Sequence, residues 1–300
     1  MKLSQFQIED IVRRALVEDV GSGDITTDSI VPVNTFAAAT IIAREAGIIA
    51  GGDVAKLVFS LVDRRIVYSP LVQDSEEADA GQPVATVEGP GMGILTGERV
   101  ALNFLQHLSG IATTTARLAA KIKYYNAKIT DTRKTTPGLR LLEKYAIRVG
   151  GGFNHRRGLY DAVVIKDNHL RLSGGIKQAV ALSRENTPHT MRIEVEVNSL
   201  AQVEEALDAR VDIIMLNSMP PEQIKEVVQK VDGRAIIEVS GDISGDKIVE
   251  IAKTGVDYIS LDSLTDAFNR LDLVLQIGEV KSGPGGEVPP VEGGIAESVE

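Results

Sequence analysis

A short segment of this chain concentrates side chains that can bind anions. Between Arg133 and Arg171 there are nine lysine and arginine residues against three acidic ones, although the whole protein of 300 residues carries a formal net charge of −10. Two histidines, His155 and His169, lie in the same segment. Cations concentrated in an acidic protein favour a focused pocket for a small polyanion, because a nucleic-acid-binding protein usually spreads basic charge over a face. We therefore expect no nucleic-acid partner.

Part of this charge has a simpler interpretation. Arg140, Lys144 and Arg148 follow one another at intervals of four residues, which is also the pattern of a solvated basic face on a helix. That interpretation fails for the cations that follow predicted strands or glycine turns, which are Arg133, Lys134, His155, Arg156 and Lys166. These five are the stronger candidates for a binding site.

The composition excludes sites that depend on cysteine and argues against a membrane-spanning protein. The chain has no cysteine, so a disulfide, a thiolate metal site and a cysteine nucleophile are all impossible. No apolar run is long enough to span a bilayer, and the first residues, MKLSQFQIEDIVRR, lack the apolar core of a signal peptide. We expect a cytoplasmic protein with no membrane partner.

The first third of the sequence predicts a mixed α/β domain. Apolar residues at helical spacing cover residues 4–18, and a second helix is predicted near 52–62. A turn-rich loop is expected at 18–28 and strands at 36–43, 47–51 and 83–89. A long helix beginning at residue 91 then connects this domain to the next.

From residue 128 onward, predicted strands and helices alternate. Strands are predicted at 128–131, 162–166, 191–197, 211–216, 234–239 and 256–261, and helices at 113–126, 174–186, 199–209, 220–231, 244–254 and 264–278. The strands are almost continuously apolar, as a parallel sheet buried on both faces requires. A (β/α) barrel, complete or incomplete, is the natural closure. A doubly wound open sheet is the structural alternative, which differs in strand order.

Polar residues lie at or just after the end of each of the six predicted strands. In barrels the active site is built at the carboxyl ends of the strands, so we expect these residues to converge. They are Thr132, Arg133 and Lys134, then Lys166, Glu196, Asn217, Ser240 with Gly241, and Asp262. Cations there can bind anions, Glu196 can share a hydrated divalent metal, and Ser240 with Gly241 can hold a phosphate at a helix start. Substrate-borne Mg²⁺ is the favoured metal, because no zinc or iron ligand spacing is present.

Long motifs at these positions make the chain similar to the quinolinate phosphoribosyltransferase family, the nicotinate-nucleotide pyrophosphorylases (carboxylating). The resemblance covers roughly residues 5–280, and its motifs are EDVGSGDITT, GERVALNFLQHLSGIAT, DTRKTTPGLR, KYAIRVGGGFNHRRGLYDAVVIKDNH, IEVEV and GVDYISL. It implies an N-terminal α/β sandwich domain, placed at 1–110, and an open TIM-like (β/α) barrel at 111–280. The Gly-, Pro- and Glu-rich tail at 281–300 is expected to be disordered.

The resemblance also implies a role for each candidate residue. Thr132, Arg133, His155 and Arg156 match residues that grip the two quinolinate carboxylates, and Arg99 matches one that reaches in from a partner subunit. Lys134 and Lys166 match lysines that bridge the acid and the phosphoribosyl group. Glu196 and Asn217 fall where the family keeps two acids near the ribose and the metal. Ser240 and Gly241 fall in its 5′-phosphate loop, and Asp262 ends the sixth strand beside it.

The reaction implied for the family consumes quinolinate and phosphoribosyl pyrophosphate with Mg²⁺ and gives nicotinate mononucleotide, pyrophosphate and CO₂ for NAD biosynthesis. No organic cofactor is expected. The resemblance also implies a homodimer, or a hexamer built from dimers.

Departures from the family pattern lie on the phosphoribosyl side. Asn217 and Ser218 stand where the family reads Asp-Asn, and Asp262 and Asp266 stand where it has a glycine and a histidine. Asn217 lacks the charge that supports a metal, and Asp262 is expected to repel a phosphate, with Asp242 adding negative charge nearby. Two hypotheses therefore stay open. One is an active enzyme, and the other is a catalytically impaired natural or engineered derivative that acts as a scaffold or binding protein.

Overall fold

The computed structural model describes residues 3–241, 243, 245 and 247–282, which form two compact units. One unit consists of residues 3–107 and 271–282, and the other of residues 108–270. Asp242 and residues 283–300 of the predicted tail lie outside the described residues. The prediction of disorder is wrong for residues 281 and 282, which end a strand. Among the described helices, none is long and apolar enough to cross a membrane.

The first unit is an antiparallel sheet with helices. Its elements in chain order are α1 (Gln5–Val20), α2 (Ile25–Ile30), β1 (Thr35–Ala43), β2 (Gly47–Ile48), α3 (Gly52–Val62), β3 (Val67–Pro70), β4 (Glu77–Ala78) and β5 (Pro83–Pro90). Alternate residues of β1 are buried, so one face of this strand lies in the core. Phe59 of α3 is fully buried and stacks on Tyr68 of β3. The helix at 52–62 is confirmed, whereas α2 lies in the segment predicted to be a loop.

A single helix, α4 (Gly91–Lys121), follows β5 and is 31 residues long. The two helical stretches predicted from residue 91 and at 113–126 are therefore one continuous element that ends at Lys121. The boundary between the two units falls inside it, after His107.

The second unit is a parallel sheet with helices between its strands. Its further elements are β6 (Lys128–Thr130), α5 (Arg140–Val149), β7 (Val163–Ile165), α6 (Asp167–Ser173), α7 (Ile176–Asn186), β8 (Ile193–Val197), α8 (Leu200–Asp208), β9 (Ile213–Asn217), α9 (Pro221–Val231), β10 (Ile236–Ser240), α10 (Lys247–Lys253), β11 (Tyr258–Ser260) and α11 (Ser263–Asp266). Local signals set the helix starts. The Ser199 side chain caps α8, and Pro221 is the first residue of α9.

The strand order identifies an open barrel. The order is β6-β11-β10-β9-β8-β7, and all five pairs are parallel. Strands from β7 to β11 follow one another in sequence, and β6 pairs with β11, so the order is circular with one opening between β6 and β7. A doubly wound sheet would instead reverse its order at an inner strand. The predicted open, TIM-like barrel is confirmed.

The last described element is a strand, β12 (Leu273–Ser282). The prediction of a helix at 264–278 is therefore wrong. Leu271, Leu273 and Leu275 are all buried, so the apolar residues alternate with a period of two, as in a half-buried strand. β12 pairs with β1 in the sheet order β12-β1-β5-β3. Residues 271–282 therefore belong to the first unit, although 271–280 were predicted to be part of the barrel.

Candidate active site

A cavity of about 920 Å³ lies at the carboxyl ends of the barrel strands. Side chains two residues apart in a strand point to the same face. The inward-facing side chains at the carboxyl end of each strand therefore lie beside the cavity. Eleven of the twelve predicted site residues line this cavity: Thr132, Arg133, Lys134, His155, Arg156, Lys166, Glu196, Asn217, Ser240, Gly241 and Asp262. The twelfth, Arg99, is an exposed residue of α4 that belongs to the first unit.

One part of the wall carries two arginines with unused hydrogen-bonding capacity. The Nε of Arg133 is buried and has no hydrogen-bond partner among the described residues. Arg156 donates from Nη1 to the carbonyl of Ala162 at 3.2 Å, which leaves its other guanidinium N–H groups for a ligand. Burial and the neighbouring Arg133 lower the pKa of Arg156. Two cations that repel each other beside a cavity favour an anionic ligand, and planar guanidinium groups suit carboxylates.

Beside these arginines, His155 lies against two buried glutamates. Its Nε2 is 3.0 Å from Oε2 of Glu194 and 3.7 Å from Oε1 of Glu238. Its pKa is raised, because the hydrogen bond to Glu194 and the charges of both acids outweigh the burial that opposes protonation. Burial also raises the pKa of Glu238 to about 7, and the charge of Glu194 adds to this rise. The two acids are therefore close enough that ionisation of both is costly.

These three side chains do not suit a metal ion, although their donor atoms lie within 4.8 Å of one another. The Nδ1 of His155 accepts the backbone N–H of Arg156 at 2.7 Å. In a neutral imidazole one nitrogen accepts and the other carries the proton, so Nε2 is protonated and has no lone pair for a metal. The cluster is a hydrogen-bonded network.

A buried ion pair supports the segment that carries His155. Lys144 of α5 and Asp131 are fully buried, and their Nζ and Oδ1 atoms are 2.5 Å apart. Burial lowers the pKa of Lys144 and raises that of Asp131, so each charge depends on its partner for stability. Asp131 also accepts from Asn154 at 2.7 Å and from the backbone N–H of His155 at 2.8 Å. The solvated-face interpretation is therefore wrong for Lys144.

A run of three glycines allows this segment to pass close to α4. An added Cβ would lie 2.3 Å from the Ala112 carbonyl at Gly150 and 2.7 Å from Thr115 at Gly152. Gly151 has a φ of +84°, a left-handed conformation that favours glycine. The turn is therefore a structural requirement for presenting His155 and Arg156 to the cavity.

At the end of β11, Asp262 accepts two strong hydrogen bonds. Its Oδ1 accepts from the hydroxyl of Thr132 at 2.6 Å, and its Oδ2 is 2.6 Å from Nζ of Lys134. The same bond raises the pKa of Lys134. Asp262 thus lines the cavity, and it binds Thr132 and Lys134, two side chains that were predicted to bind the substrate.

The remaining polar residues line the rim formed by β7 to β10. Asn217 donates to Oε1 of Glu196 at 3.0 Å, and Nζ of Lys166 is 3.4 Å from Oε2 of the same carboxylate. The backbone N–H of Ser218, which has a φ of +55°, donates to the carbonyl of Ser240 at 3.2 Å. Gly241 follows with a φ of +136°. This rim offers the oxygen donors of Glu196 and Asn217 together with a half-exposed cation, Lys166.

Two family models match nearly the whole described chain. Residues 24–109 match the quinolinate phosphoribosyl transferase N-terminal domain, and residues 111–276 match the C-terminal domain of the same family. The chain belongs to the quinolinate phosphoribosyltransferase family.

Known relatives agree with this assignment. A probable nicotinate-nucleotide pyrophosphorylase (carboxylating) from Bacillus subtilis is 39% identical over 275 residues, which are 92% of this chain and 95% of that protein. The nicotinate-nucleotide pyrophosphorylase (carboxylating) of Mycobacterium leprae is 43% identical over 276 residues, or 89% of this chain and 96% of that protein. The solved nicotinate-nucleotide pyrophosphorylase of Francisella tularensis has a TM-score of 0.89 at 41% identity, over 92% of this chain and 98% of that one.

Sequence reasoning about this phosphoribosyltransferase missed three buried charged residues near the cavity: Glu194, Glu238 and Lys144. A signal was present for the two glutamates. Glu194 lies between Ile193 and Val195 of β8, and Glu238 lies between Ile237 and Val239 of β10. Burying a charged side chain among such apolar neighbours costs free energy unless the charge is paired or hydrogen-bonded. For Lys144 the spacing with Arg140 and Arg148 concealed the buried pair.

The raised pKa of Glu238 predicts a pH-dependent stability. Between the ordinary value of 4.5 and about 7, the folded protein binds a proton that the unfolded chain releases, so stability falls as the pH rises through this window. Glu238→Gln removes the penalty and should be more stable than the wild type by roughly 2 kcal/mol at about pH 8, with a smaller gain at about pH 5.

Denaturant unfolding at the two pH values measures this difference. Glu222→Gln, at an exposed glutamate of α9, is the control and should change stability little at either pH. A Glu238→Gln gain that does not depend on pH would contradict the raised pKa.

Proposed function

We propose that this protein is an active quinolinate phosphoribosyltransferase, which forms nicotinate mononucleotide, pyrophosphate and CO₂ from quinolinate and phosphoribosyl pyrophosphate. The observation that carries the proposal is one cavity lined by two neighbouring arginines, Arg133 and Arg156, and by a rim that carries the oxygen donors of Glu196 and Asn217 together with Lys166. Membership of the family and the names of the relatives support the same activity. Nothing in the comparisons supports the alternative of a non-catalytic scaffold.

Arg133 and Arg156 form the proposed acid subsite. Each can donate two parallel N–H groups to a carboxylate, and together they supply two positive charges for the two carboxylates of quinolinate. Quinolinate should therefore bind more tightly than nicotinate, which has one carboxylate. Calorimetry with both acids measures the difference, and equal affinities would contradict a subsite for a dicarboxylate.

The rim is the proposed phosphoribosyl subsite. Departure of pyrophosphate from C1 of the ribose develops positive charge on the sugar, which the carboxylate of Glu196 can stabilise. Lys134 and Lys166 are point charges suited to phosphate oxygens, and Ser240 with Gly241 can donate to the 5′-phosphate. After the new C–N bond forms, loss of CO₂ leaves an electron pair on C2 beside the positively charged ring nitrogen, and this carbon then takes up a proton.

We propose that Mg²⁺ enters with phosphoribosyl pyrophosphate. The oxygen donors of Glu196 and Asn217 fit this cation, since Mg²⁺ prefers oxygen ligands and usually combines one or two carboxylates with substrate phosphates. When bound, it neutralises the negative charge of the leaving pyrophosphate.

The activity test is direct. The purified protein is incubated with quinolinate, phosphoribosyl pyrophosphate and Mg²⁺, and nicotinate mononucleotide is measured by chromatography. Lys166→Met, which removes one cation from the rim, is the matched control and should lose most of the turnover. No nicotinate mononucleotide from the wild type, even at enzyme concentrations that exceed the substrate, would reject the proposal.

Asp262 is expected to restrain the reaction. Its carboxylate holds Thr132 and Lys134, and it must release them before an anionic substrate can use them. Replacing Asn217→Asp, Ser218→Asn, Asp262→Gly and Asp266→His together should raise kcat/KM at least about tenfold, equivalent to 1.4 kcal/mol.

Steady-state kinetics with phosphoribosyl pyrophosphate measures the effect of this quadruple variant. Asp262→Gly alone should give only part of the gain, because residues that act on one bound group are not additive. An unchanged kcat/KM in the quadruple variant would show that these four positions are neutral in this chain.

We also propose a homodimer, or a hexamer built from dimers, in which Arg99 completes the partner subunit's site. Exposed apolar side chains on α1, α2 and the residues after them support this assembly. They are Phe6, Val17, Ile25, Ile30 and Val33, each at least 73% exposed in the single chain. Light scattering should give a dimer or a multiple of it. A monomer at micromolar concentration would contradict the role proposed for Arg99.

A further inference from the structure

The proposed reaction needs a proton donor at C2 of the pyridine ring, because the loss of CO₂ leaves an electron pair on that carbon. Among the carboxyl groups that line the active-site cavity in the described part of the chain, that of Glu238 on β10 is the most buried. Its Oε1 is buried and has no hydrogen-bond partner among the described residues. This oxygen is therefore not committed to another group of the protein.

The surroundings of Glu238 favour its protonated form. The titratable groups around it are Glu194 on β8, His155, Asp131 and its partner in the sheet, Tyr258 of β11. Burial, followed by the charge of Glu194, raises the pKa of Glu238 to about 7, although the charge of His155 opposes this rise. A buried oxygen without a partner also costs less free energy in a neutral acid than in a carboxylate. Glu238 therefore holds a proton in the free protein below this pKa.

Glu238 also lines a second cavity, of about 560 Å³. This cavity extends to the amino ends of the barrel strands, because Ile213 and Ile236, the first residues of β9 and β10, belong to its lining. Its lining includes the exposed residues Thr190 and Arg192, so that water reaches it from the surface. Glu238 thus lies between the active-site cavity and a separate source of protons.

The acid subsite lies beside Glu238. His155 and Arg156 line the active-site cavity, and Nε2 of His155 is 3.7 Å from Oε1 of Glu238. A pyridine ring whose carboxylates are bound by this histidine and this arginine therefore has its C2 edge next to the Glu238 carboxyl group.

We propose that Glu238 is the general acid that protonates C2 of the pyridine ring after CO₂ has left. The bond between C2 and its carboxylate breaks, the electron pair stays on C2 beside the positively charged ring nitrogen, and the proton of Glu238 forms the new C–H bond. Glu238 becomes a carboxylate and takes up a proton from solvent through the second cavity. This inference rests on the proposed function.

Replacing Glu238 with glutamine removes the proton, keeps the shape of the side chain and is not expected to unfold the protein. In a single turnover with enzyme in excess, pyrophosphate should form at the wild-type rate. Nicotinate mononucleotide should form at least about tenfold more slowly, so that quinolinate mononucleotide accumulates. Glu222→Gln, at an exposed glutamate of α9, is the control and should change neither rate.

Two results of this experiment would overturn the inference alone: equal slowing of both products, or no slowing of either, in a protein whose wild type is active. If the wild type forms no nicotinate mononucleotide, the proposed function fails and this inference fails with it.

The protonation of Glu238 is measured without any substrate. The infrared spectrum of the free protein at about pH 6 should contain the carbonyl band of a protonated carboxyl group that the spectrum of Glu238→Gln lacks. This band should weaken as the pH rises through the pKa of about 7. Spectra that show no such difference at about pH 6 would contradict the role of Glu238 as an acid, whatever the activity of the protein.

Discussion

Replacing Lys144 with methionine should lower the free energy of unfolding by about 3–5 kcal/mol, the usual cost of removing one partner from a buried ion pair. Asp131 would remain fully buried without its cation, although it would keep its bonds to Asn154 and to the backbone of His155. Denaturant unfolding of the two proteins measures the loss.

Lys177→Met is the matched control for this experiment. Lys177 forms an ion pair with Asp208 at 3.2 Å, but both side chains are more than 60% exposed, so its loss should cost less than about 1 kcal/mol. If Lys144→Met costs no more than Lys177→Met, the buried pair contributes nothing to stability beyond that of a surface pair.

Replacing Arg156 with alanine should weaken quinolinate binding by roughly 1.5–3 kcal/mol, or about 10- to 150-fold in Kd, because it removes hydrogen bonds between charged groups in a half-buried site. Calorimetry measures the affinity. Arg157→Ala is the control, since Arg157 is an exposed neighbour that does not line the cavity, and it should change Kd by less than about threefold. Equal losses in the two variants would place Arg156 outside the acid subsite.

The barrel was predictable because its strands have a simple chemical pattern. Segments such as IIMLN and IIEVS are apolar enough to be buried on both faces and recur at a regular interval, so that their number and order could be inferred. The residues after each strand were predictable as a group for the same reason, because parallel strands bring their carboxyl ends together.

Contacts that depend on distant parts of the chain were not predictable. The pairing of Asp262 with Lys134 joins residues 128 positions apart, and sequence alone suggested only that Asp262 would repel phosphate. Lys144 had the spacing of an exposed face, and only the approach of Asp131 makes its burial possible. β12 was mistaken for a helix, because its partner strand, β1, lies more than two hundred residues earlier.

The pairing of β12 with β1 affects the order in which the two units can fold during translation. The sheet of the first unit contains a strand whose residues, 273–282, leave the ribosome after the entire barrel. The barrel residues are contiguous in sequence, so the barrel can fold during synthesis. Until β12 has been synthesised, the edge of β1 that pairs with β12 has no partner strand. A protein stopped at residue 270 would retain every barrel strand and still leave Ala39 and Ile41 without their β12 neighbours. Completion of the N-terminal sheet is therefore a late, C-terminal event in biosynthesis.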